Sequence, residues 1–278
     1  MADISAKAVK ELRDKTNLPM MEVKKALMEA NGDEEQAIEI LRRNVGKVML
    51  KRAENATSEG VIRVLTTDDG KVGAMVEVQC ESAPVAKADD FTFLADQCVK
   101  QLLTGPGAAT VEELLAQTAP DRAGATLQSI LDDVVNKIRE KIVVARAVRV
   151  EGPVGGYVHH DGKTGVLVVA TGENGAAPVI RDVAMHVAAL RPAVTHPEEL
   201  DAAAVKTERD RLSTEAAASG KPANIVEKIV DGRMKTYYGE QGVLTFQMFA
   251  KDDSKTVSQA LAETGLKAKS FIRWVLGN

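Results

Sequence analysis

The 278-residue sequence contains few aromatic side chains: five Phe, three Tyr and one Trp, 3 % of the chain. So few rings disfavour the base-stacking platforms of single-strand nucleic-acid binders and the aromatic cages that hold quaternary ammonium groups. Charge of one sign is also lacking, because 36 Lys and Arg against 40 Asp and Glu leave a net charge of −4. A general nucleic-acid binder needs excess cationic side chains to neutralise phosphates, so we expect no direct nucleic-acid partner.

Cysteine and long apolar runs are scarce as well. Cys80 and Cys98 are the only cysteines, and their spacing does not match the close pairs of a zinc site, so we predict two buried free thiols. No apolar run approaches the roughly 20 residues of a membrane-spanning helix. The N-terminal stretch MADISAKAVKELRDKT mixes acids with bases, unlike a signal or transit peptide. We therefore expect a cytoplasmic protein without a membrane partner.

The chain is instead rich in aliphatic side chains, and its hydrophobic fraction of 45 % is too high for a disordered protein. Its length suits roughly two domains of ordinary size. Residues 1–53 have the periodicity of a compact three-helix unit, in which Asn31-Gly32 ends the second helix and Asp33 begins the third. Residues 44–58 are charged and weakly patterned, and we predict that they form a tether.

Beyond the tether, apolar side chains alternate with a period of two, which is typical of strands. The pattern from Gly60 predicts a β-hairpin around the turn DDGK, and a second strand-rich stretch begins at Val143. Helical patterns follow both sets of strands, so we predict an α+β fold whose core has two subdomains with antiparallel sheets. We assign residues 54–142 to the first subdomain and residues 143–197 with 239–278 to the second.

A helical hairpin is predicted within the second subdomain, over residues 198–238. Two amphipathic patterns flank a turn at 219–222, and two such helices on a short turn form an antiparallel coiled-coil hairpin. The seam of the first helix comprises Ala202, Val205, Leu212 and Ala216. After the hairpin, the stretch GVLTFQMF predicts a strand, which leads to a short helix and a closing strand.

Side chains that carry chemistry are scattered. His159 and His160 are adjacent, so in a strand they point to opposite faces and cannot share a metal ion. The GKT segment at 162–164 lies between strands, and we interpret it as a hairpin turn and not as a phosphate loop. Taken alone, His186 on its alanine-rich helix is most simply a packed residue. These patterns predict a binding protein, not an enzyme, with no metal ion or cofactor.

Several blocks of the sequence resemble one known family. The string LRDKTNLPMMEVKKALMEANGDEEQAIEILR at 12–42 closely resembles the N-terminal module of the translation elongation factor Ts family. The resemblance continues over essentially the whole chain, through AENATSEGVI, HHDGKTGVLV, VAMHVAALRP, SGKPANIVEKIVDGRMKTYYGE and KDDSKTVSQAL. Blocks in one order over almost the whole chain make a highly specific match.

The resemblance implies a function that composition and periodicity do not reveal. Proteins of this family bind the GTPase elongation factor Tu in its GDP form and release the nucleotide without covalent chemistry. The implied architecture is a three-helix module like a ubiquitin-associated domain, the two-subdomain core, and the helical hairpin. The module around Met20 and Met21, with Pro19 where the family has a glycine, is expected to dock on a helix of the GTPase. Exposed methionines suit this role because they adapt to an apolar surface.

The core loops carry the other site residues that the resemblance implies. The Thr-Asp-Phe-Val stretch of the family is replaced here by Ser82, Ala83, Pro84 and Val85. The family's carboxylate and aromatic ring are both missing, so we expect this loop to act sterically. The family's Ile-Gly pair in the ribbon turn corresponds to Thr164-Gly165, and the retained histidine of AMHVAA, His186, becomes an expected partner contact.

The altered loop leaves a second interpretation open. Without the Asp-Phe pair, the chain could be a degenerate paralogue that binds elongation factor Tu as a holdase or regulator without efficient exchange. The hairpin could contact either elongation factor Tu or a second copy of this chain.

Overall fold

The computed structural model describes residues 4–16, 18, 20–218 and 220–278. Its helices are α1 (Ala6–Thr16), α2 (Met20–Glu29), α3 (Glu34–Lys51), α4 (Ala83–Ala86), α5 (Asp89–Thr104), α6 (Val111–Leu115), α7 (Leu127–Ile138), α8 (Pro178–Leu190), α9 (Ala202–Ala217), α10 (Ala223–Glu240) and α11 (Val257–Ala262). Its strands are β1 (Glu59–Thr66), β2 (Val72–Cys80), β3 (Ile142–Glu151), β4 (Val154–Val158), β5 (Thr164–Thr171), β6 (Met248–Phe249), β7 (Asp252–Thr256) and β8 (Lys267–Val275). Helices combined with antiparallel sheets confirm the predicted α+β class.

The three N-terminal helices have a small core of their own, and their ends follow the sequence signals. Helix α2 ends where Asn31 and Gly32 adopt positive φ values of 52° and 91°. The Asp33 carboxylate then accepts a hydrogen bond from Gln36 N at 2.9 Å and caps α3. These two signals separate α2 from α3, and the two helices pack together in the module core.

The predicted tether over 44–58 is wrong for its first half, which forms the last turns of α3. The N-terminal part of this helix packs into the module core through Ala37 and Leu41, whereas Val48 packs into the core of the first subdomain. Because α3 contacts two different surfaces along its length, its apolar side chains do not keep to one stripe. The weak pattern therefore reflects a bridging helix and not an irregular segment.

The first sheet contains β1, β2 and β3 in that order, and α5 and α7 cover one of its faces. The predicted turn at Asp69-Gly70 joins β1 to β2, and Gly70 has the positive φ (64°) that the turn requires. Strand β3 pairs with β2 from Val72 to Cys80. Our division at 142/143 therefore separates β3 from the sheet that it completes, because alternation identifies a strand but not its partner.

The second sheet contains β4, β5 and β8 in that order, and α8 and α11 pack on it. A two-stranded ribbon of β6 and β7 lies beside it. The strand predicted for GVLTFQMF is mostly wrong, because Leu244–Phe246 form a 3₁₀ turn and only Met248–Phe249 are extended. The closing strand is confirmed as β8, which pairs with β5.

The two sheets pack directly on each other, and helices cover their outer faces, so the core has four layers. The central strands β2 and β5 are consequently buried on both faces. On β2, Met75 faces the second sheet, whereas Ala74 and Val76 face the helices of the first subdomain. On β5, Leu167 faces the first sheet and Val166 faces α8.

Glycines allow the sheets to approach this closely. A Cβ atom at Gly165 would lie 2.5 Å from Ile62 Cγ2 and 2.9 Å from Met75 Sδ. At Gly156 it would lie 2.6 Å from Val64 Cγ1. Either side chain would force the sheets apart, so both positions need a residue without Cβ.

A buried ion pair joins the first sheet to the end of the chain. Glu77 is only 1 % exposed, and its carboxylate lies 2.6 Å from Arg146 Nη2 and accepts a hydrogen bond from Gly277 N at 3.0 Å. Arg146 also donates to Val275 O at 3.0 Å and lies over the Trp274 ring, 4.4 Å from its centroid. The only tryptophan therefore stabilises the contact between the sheets.

Helices α9 and α10 form the predicted antiparallel hairpin, although Ser219 in its turn lies outside the described residues. The small core between the helices consists of Leu212, Ala216, Val230 and Met234, with Val205 partly buried beside it. Ala202 is exposed, so the seam begins later than predicted. Arg209 and Asp231 form an ion pair at 3.0 Å across the exposed side of the hairpin.

Replacing Gly165 with alanine should destabilise the protein because the new methyl group has no space between the sheets. Overpacking of a close-packed core typically costs about 1–3 kcal/mol of unfolding free energy. Urea unfolding monitored by circular dichroism measures the change. The matched control is Gly46→Ala in α3, where a Cβ meets nothing within 4 Å. That substitution should be neutral or stabilise by up to about 1 kcal/mol. Equal effects of the two substitutions would contradict the packing role of Gly165.

Candidate partner-binding surface

The altered loop forms the short helix α4, directly after β2. Ser82 is its N-cap residue, and the Glu140 carboxylate accepts hydrogen bonds from Ser82 Oγ at 2.7 Å and from Ser82 N at 3.1 Å. Ala83 and Pro84 are exposed, whereas Val85 packs against the core of the first subdomain. The loop thus presents a small apolar surface on a rigid support.

A carboxylate next to this helix fixes the connection from the N-terminal module. Glu81 accepts hydrogen bonds from Arg52 Nη1 at 2.7 Å, Asn55 Nδ2 at 2.7 Å and Lys141 N at 2.6 Å. Burial raises the pKa of Glu81, but the three donors outweigh this effect and hold its pKa below the ordinary value. Glu81 therefore stays ionised near neutral pH and holds the connection to the core.

Residues 159–163 form the turn between β4 and β5, which we call the ribbon turn. It lies at the same end of the two sheets as α4. Lys163 Nζ on this turn forms an ion pair with Glu59 Oε2 at 2.8 Å. Glu59 is paired with Cys80 in the first sheet, and Cys80 is two residues before Ser82. The structure therefore brings the ribbon turn and the altered loop to one edge of the core.

The prediction that His159 and His160 point to opposite sides is wrong. Both residues lie at the ribbon turn and not within a strand, and their ring centroids are 4.3 Å apart. His159 Nδ1 lies 3.1 Å from the Tyr157 hydroxyl. Within the ranges that the structure describes, no group of three or more His, Cys, Asp and Glu side chains converges to hold a metal ion.

Thr164 and Gly165 follow the ribbon turn, and they differ in what they can contact. Thr164 is half-buried at the edge of the sheet, near the exposed turn. Gly165 is buried against the first sheet, where the side chains of Ile62 and Met75 surround it. The lack of a side chain at Gly165 lets the sheets pack closely, and its direct partner contact stays a prediction.

The methionines of the N-terminal module are exposed as expected. Met20 and Met21 begin α2, with exposed fractions of 53 % and 64 %. Pro19, the third expected site residue of the module, lies outside the described residues. The neighbouring Glu22 forms an ion pair with Arg139 of the core. The next residue, Glu140, accepts hydrogen bonds from Ser82 at the start of α4. The start of α2 and the altered loop are thus connected through two consecutive residues.

His186 does not belong to this surface. Its side chain is 1 % exposed, Nδ1 accepts a hydrogen bond from Ala250 N at 3.1 Å, and Nε2 donates to Gln247 Oε1 at 2.9 Å. Burial lowers the pKa of His186, and the hydrogen bond to Gln247 opposes this effect only in part. Both ring nitrogens are thus engaged inside the protein, and the direct contact of His186 with a partner stays a prediction.

Sequence reasoning missed three charged residues that organise the surface: Glu81, Arg139 and Glu140. Arg139 ends α7 with a φ of 66°, a conformation usually reserved for glycine or asparagine. No spacing rule marks such an arginine, since its importance depends on contacts distant in sequence.

The two cysteines are free and buried, as predicted. Burial raises the pKa of Cys98 to about 12, and burial together with nearby carboxylates raises the pKa of Cys80 to about 11. Both side chains are therefore neutral thiols and poor nucleophiles near neutral pH. Among the helices of the described residues, none is long and apolar enough to cross a membrane.

The buried His186 should make the protein less stable in mild acid. Because its pKa is lower in the folded than in the unfolded chain, the unfolded chain binds a proton more readily. The free energy of unfolding should fall as the pH drops below about 6.5, the ordinary pKa of histidine. Urea unfolding at pH 7.5 and 5.5 should show a larger loss for the wild type than for His186→Gln. An equal loss in both proteins would show that His186 is not the titrating group.

Comparison of the sequence with known proteins matches the chain to one family. The family model described as Elongation factor TS matches residues 81–278. Elongation factor Ts of Paenarthrobacter aurescens (strain TC1) is 43 % identical over 285 residues, with 100 % of both chains covered. Elongation factor Ts of Methylococcus capsulatus is 41 % identical over 277 residues, with 99 % of this chain and 92 % of the relative covered. That of Cytophaga hutchinsonii is 38 % identical over 278 residues, with 98 % and 99 % covered. The chain belongs to the elongation factor Ts family.

Proposed function

We propose that this protein binds elongation factor Tu in its GDP form and promotes release of the nucleotide during polypeptide elongation. The observation that carries the proposal is membership of the elongation factor Ts family over the whole length of the chain. The surface at the shared edge of the sheets supports it, because Ala83 and Pro84 are exposed there close to the half-buried Thr164. The Glu22–Arg139 ion pair connects the exposed methionines to the same part of the core. Release of bound GDP breaks no covalent bond, so in this proposal the protein acts as an exchange factor.

Nucleotide exchange follows from thermodynamic linkage. If this protein binds the nucleotide-free GTPase more tightly than the GDP form by some factor, it must weaken GDP binding by the same factor. The magnesium ion and the phosphate-binding amides provide much of the grip on GDP. A protein that displaces the elements holding these groups therefore releases GDP without contacting the nucleotide.

The altered loop performs this displacement sterically in our proposal. Ala83 and Pro84 are exposed on α4, and the Glu140 carboxylate holds the N-cap residue Ser82 by accepting its hydrogen bonds. A proline at the second position of a helix is stiff, since its ring fixes φ. The loop has no carboxylate to repel the magnesium ligands and no aromatic ring to insert. It acts as a rigid apolar surface that pushes against the partner.

The module and the ribbon turn supply affinity on either side of this loop. Met20 and Met21 provide a flexible apolar contact for a helix of the GTPase domain. Thr164 and the exposed ribbon turn contact the partner beside the loop. His186 contributes indirectly, because its hydrogen bonds to Gln247 and Ala250 hold α8 to the segment that precedes β7.

Stopped-flow release of fluorescent GDP from the cognate elongation factor Tu tests the proposal. We expect the release rate to rise with the concentration of this protein and to saturate. A stable complex in gel filtration with an unchanged release rate would instead show the holdase or regulator, and would overturn the exchange function.

A matched pair of variants tests the methionine contact in the same assay. Met21→Ala should raise the half-saturating concentration about fivefold to tenfold, as expected when an interface contact worth roughly 1–1.4 kcal/mol is truncated. The control is Leu65→Ala, which removes an exposed apolar side chain at the opposite end of β1. Equal behaviour of the two variants would exclude Met21 from the interface.

A further inference from the structure

Residues 139–141 connect every part of the candidate surface that belongs to the first half of the chain. This three-residue segment lies between α7 and β3, and each of its side chains contacts a different neighbour. The inference below rests on the proposed exchange function, because it concerns how two parts of the binding surface cooperate.

Arg139 reaches the N-terminal module. Its guanidinium pairs with the Glu22 carboxylate, one residue after the exposed Met21, and the two side chains are 37 % and 27 % exposed. One turn earlier on α7, the buried Asn136 Nδ2 donates to Leu41 O on α3 at 2.9 Å. The end of α7 thus holds two of the three module helices by polar contacts.

Glu140 reaches the altered loop. Its two carboxylate oxygens accept hydrogen bonds from the hydroxyl and the backbone amide of Ser82, at 2.7 and 3.1 Å. Charge-assisted bonds to a carboxylate are stronger than neutral ones, and two bonds from one residue also fix its orientation. Ser82 does not use its own side chain to cap α4, so the start of this helix is positioned by Glu140.

Lys141 contacts the connection between α3 and β1. Its ammonium donates to Ala53 O at 2.6 Å and Asn55 O at 3.1 Å, and its backbone amide donates to Glu81 at 2.6 Å. The short connection from α3 to β1 is therefore held at both its backbone and its side chains. These contacts leave the module little freedom to turn relative to the core.

We propose that Arg139 and Glu140 are positioning residues that hold the Met20–Met21 surface and the α4 loop in one fixed arrangement, so that elongation factor Tu binds both at once. Two surfaces held together act with a high effective concentration, whereas a loosely attached module contributes less affinity. Arg139 sets the position of the module and Glu140 sets the position of the loop. The two residues consequently affect different kinetic parameters.

Arg139→Gly tests the first half of this proposal. Glycine suits the φ of 66° at this position, so the substitution removes the ion pair and preserves the backbone. We expect the half-saturating concentration for GDP release to rise about threefold to tenfold, as for the loss of a linked contact, with an unchanged maximum rate. Glu22→Gln removes the same ion pair from the module side and should give the same shift, and the double variant should add nothing further.

Glu140→Ala tests the second half. It should lower the maximum rate of GDP release, because α4 then starts in a less defined position, whereas Arg139→Gly should not. The control is Lys100→Gln, which removes a somewhat more exposed ion pair, with Asp121, outside the 139–141 segment and its contacts. This variant should behave like the wild type in both parameters.

The outcomes separate this proposal from the proposed function. A wild-type protein that does not accelerate GDP release would overturn the exchange function. Acceleration by the wild type, with Arg139→Gly, Glu22→Gln and Glu140→Ala all indistinguishable from Lys100→Gln, would overturn the positioning role alone. Additive effects of Arg139→Gly and Glu22→Gln would also contradict it, because partners in one ion pair must be coupled.

Discussion

Direct packing of two three-stranded sheets is the constraint on which the rest of this structure depends. Each sheet is covered by helices on its outer face, so its inner face must be apolar, close-fitting and free of unpaired polar groups. Gly156 and Gly165 meet this demand by leaving out a side chain. Glu77 and Arg146 meet it in another way, since their charges are paired and share hydrogen bonds with the end of the chain.

The same packing determines where the candidate binding surface lies. Because the sheets are aligned, the end of β2 and the turn before β5 emerge at one edge, and the α4 loop and the ribbon turn become neighbours through Glu59 and Lys163. The N-terminal module joins this edge through charged contacts at the end of α7. This packing therefore brings segments distant in sequence together in one candidate surface.

Local features of the fold were predictable from the sequence, because they depend on neighbouring residues. The Asn31-Gly32 helix end, the Asp33 cap and the Gly70 turn all appear where the residue types require them. The alternation of apolar side chains likewise identified the strands of both sheets. The predicted family membership also agrees with the relatives, because the matching blocks extend over the whole chain.

Features that depend on distant contacts were not predictable in this way. The pairing of β3 with β2, the burial of Gly165 and the engagement of His186 with Gln247 each involve residues far apart in the chain. A resemblance transfers an expected role to a residue type and position, but it does not report burial. His186 and Gly165, both expected as partner contacts, are buried, whereas Met20, Met21 and Pro84 are exposed.

Hydrogen–deuterium exchange of this protein, alone and bound to nucleotide-free elongation factor Tu, tests the central claim most directly. One continuous binding surface predicts that amides in 20–28, 83–88 and 159–163 gain protection together on complex formation. Amides at the opposite end of the sheets, around the turn at 67–71, should exchange at an unchanged rate and serve as the internal reference. Protection confined to the hairpin of α9 and α10, or to a single one of the three segments, would contradict the account.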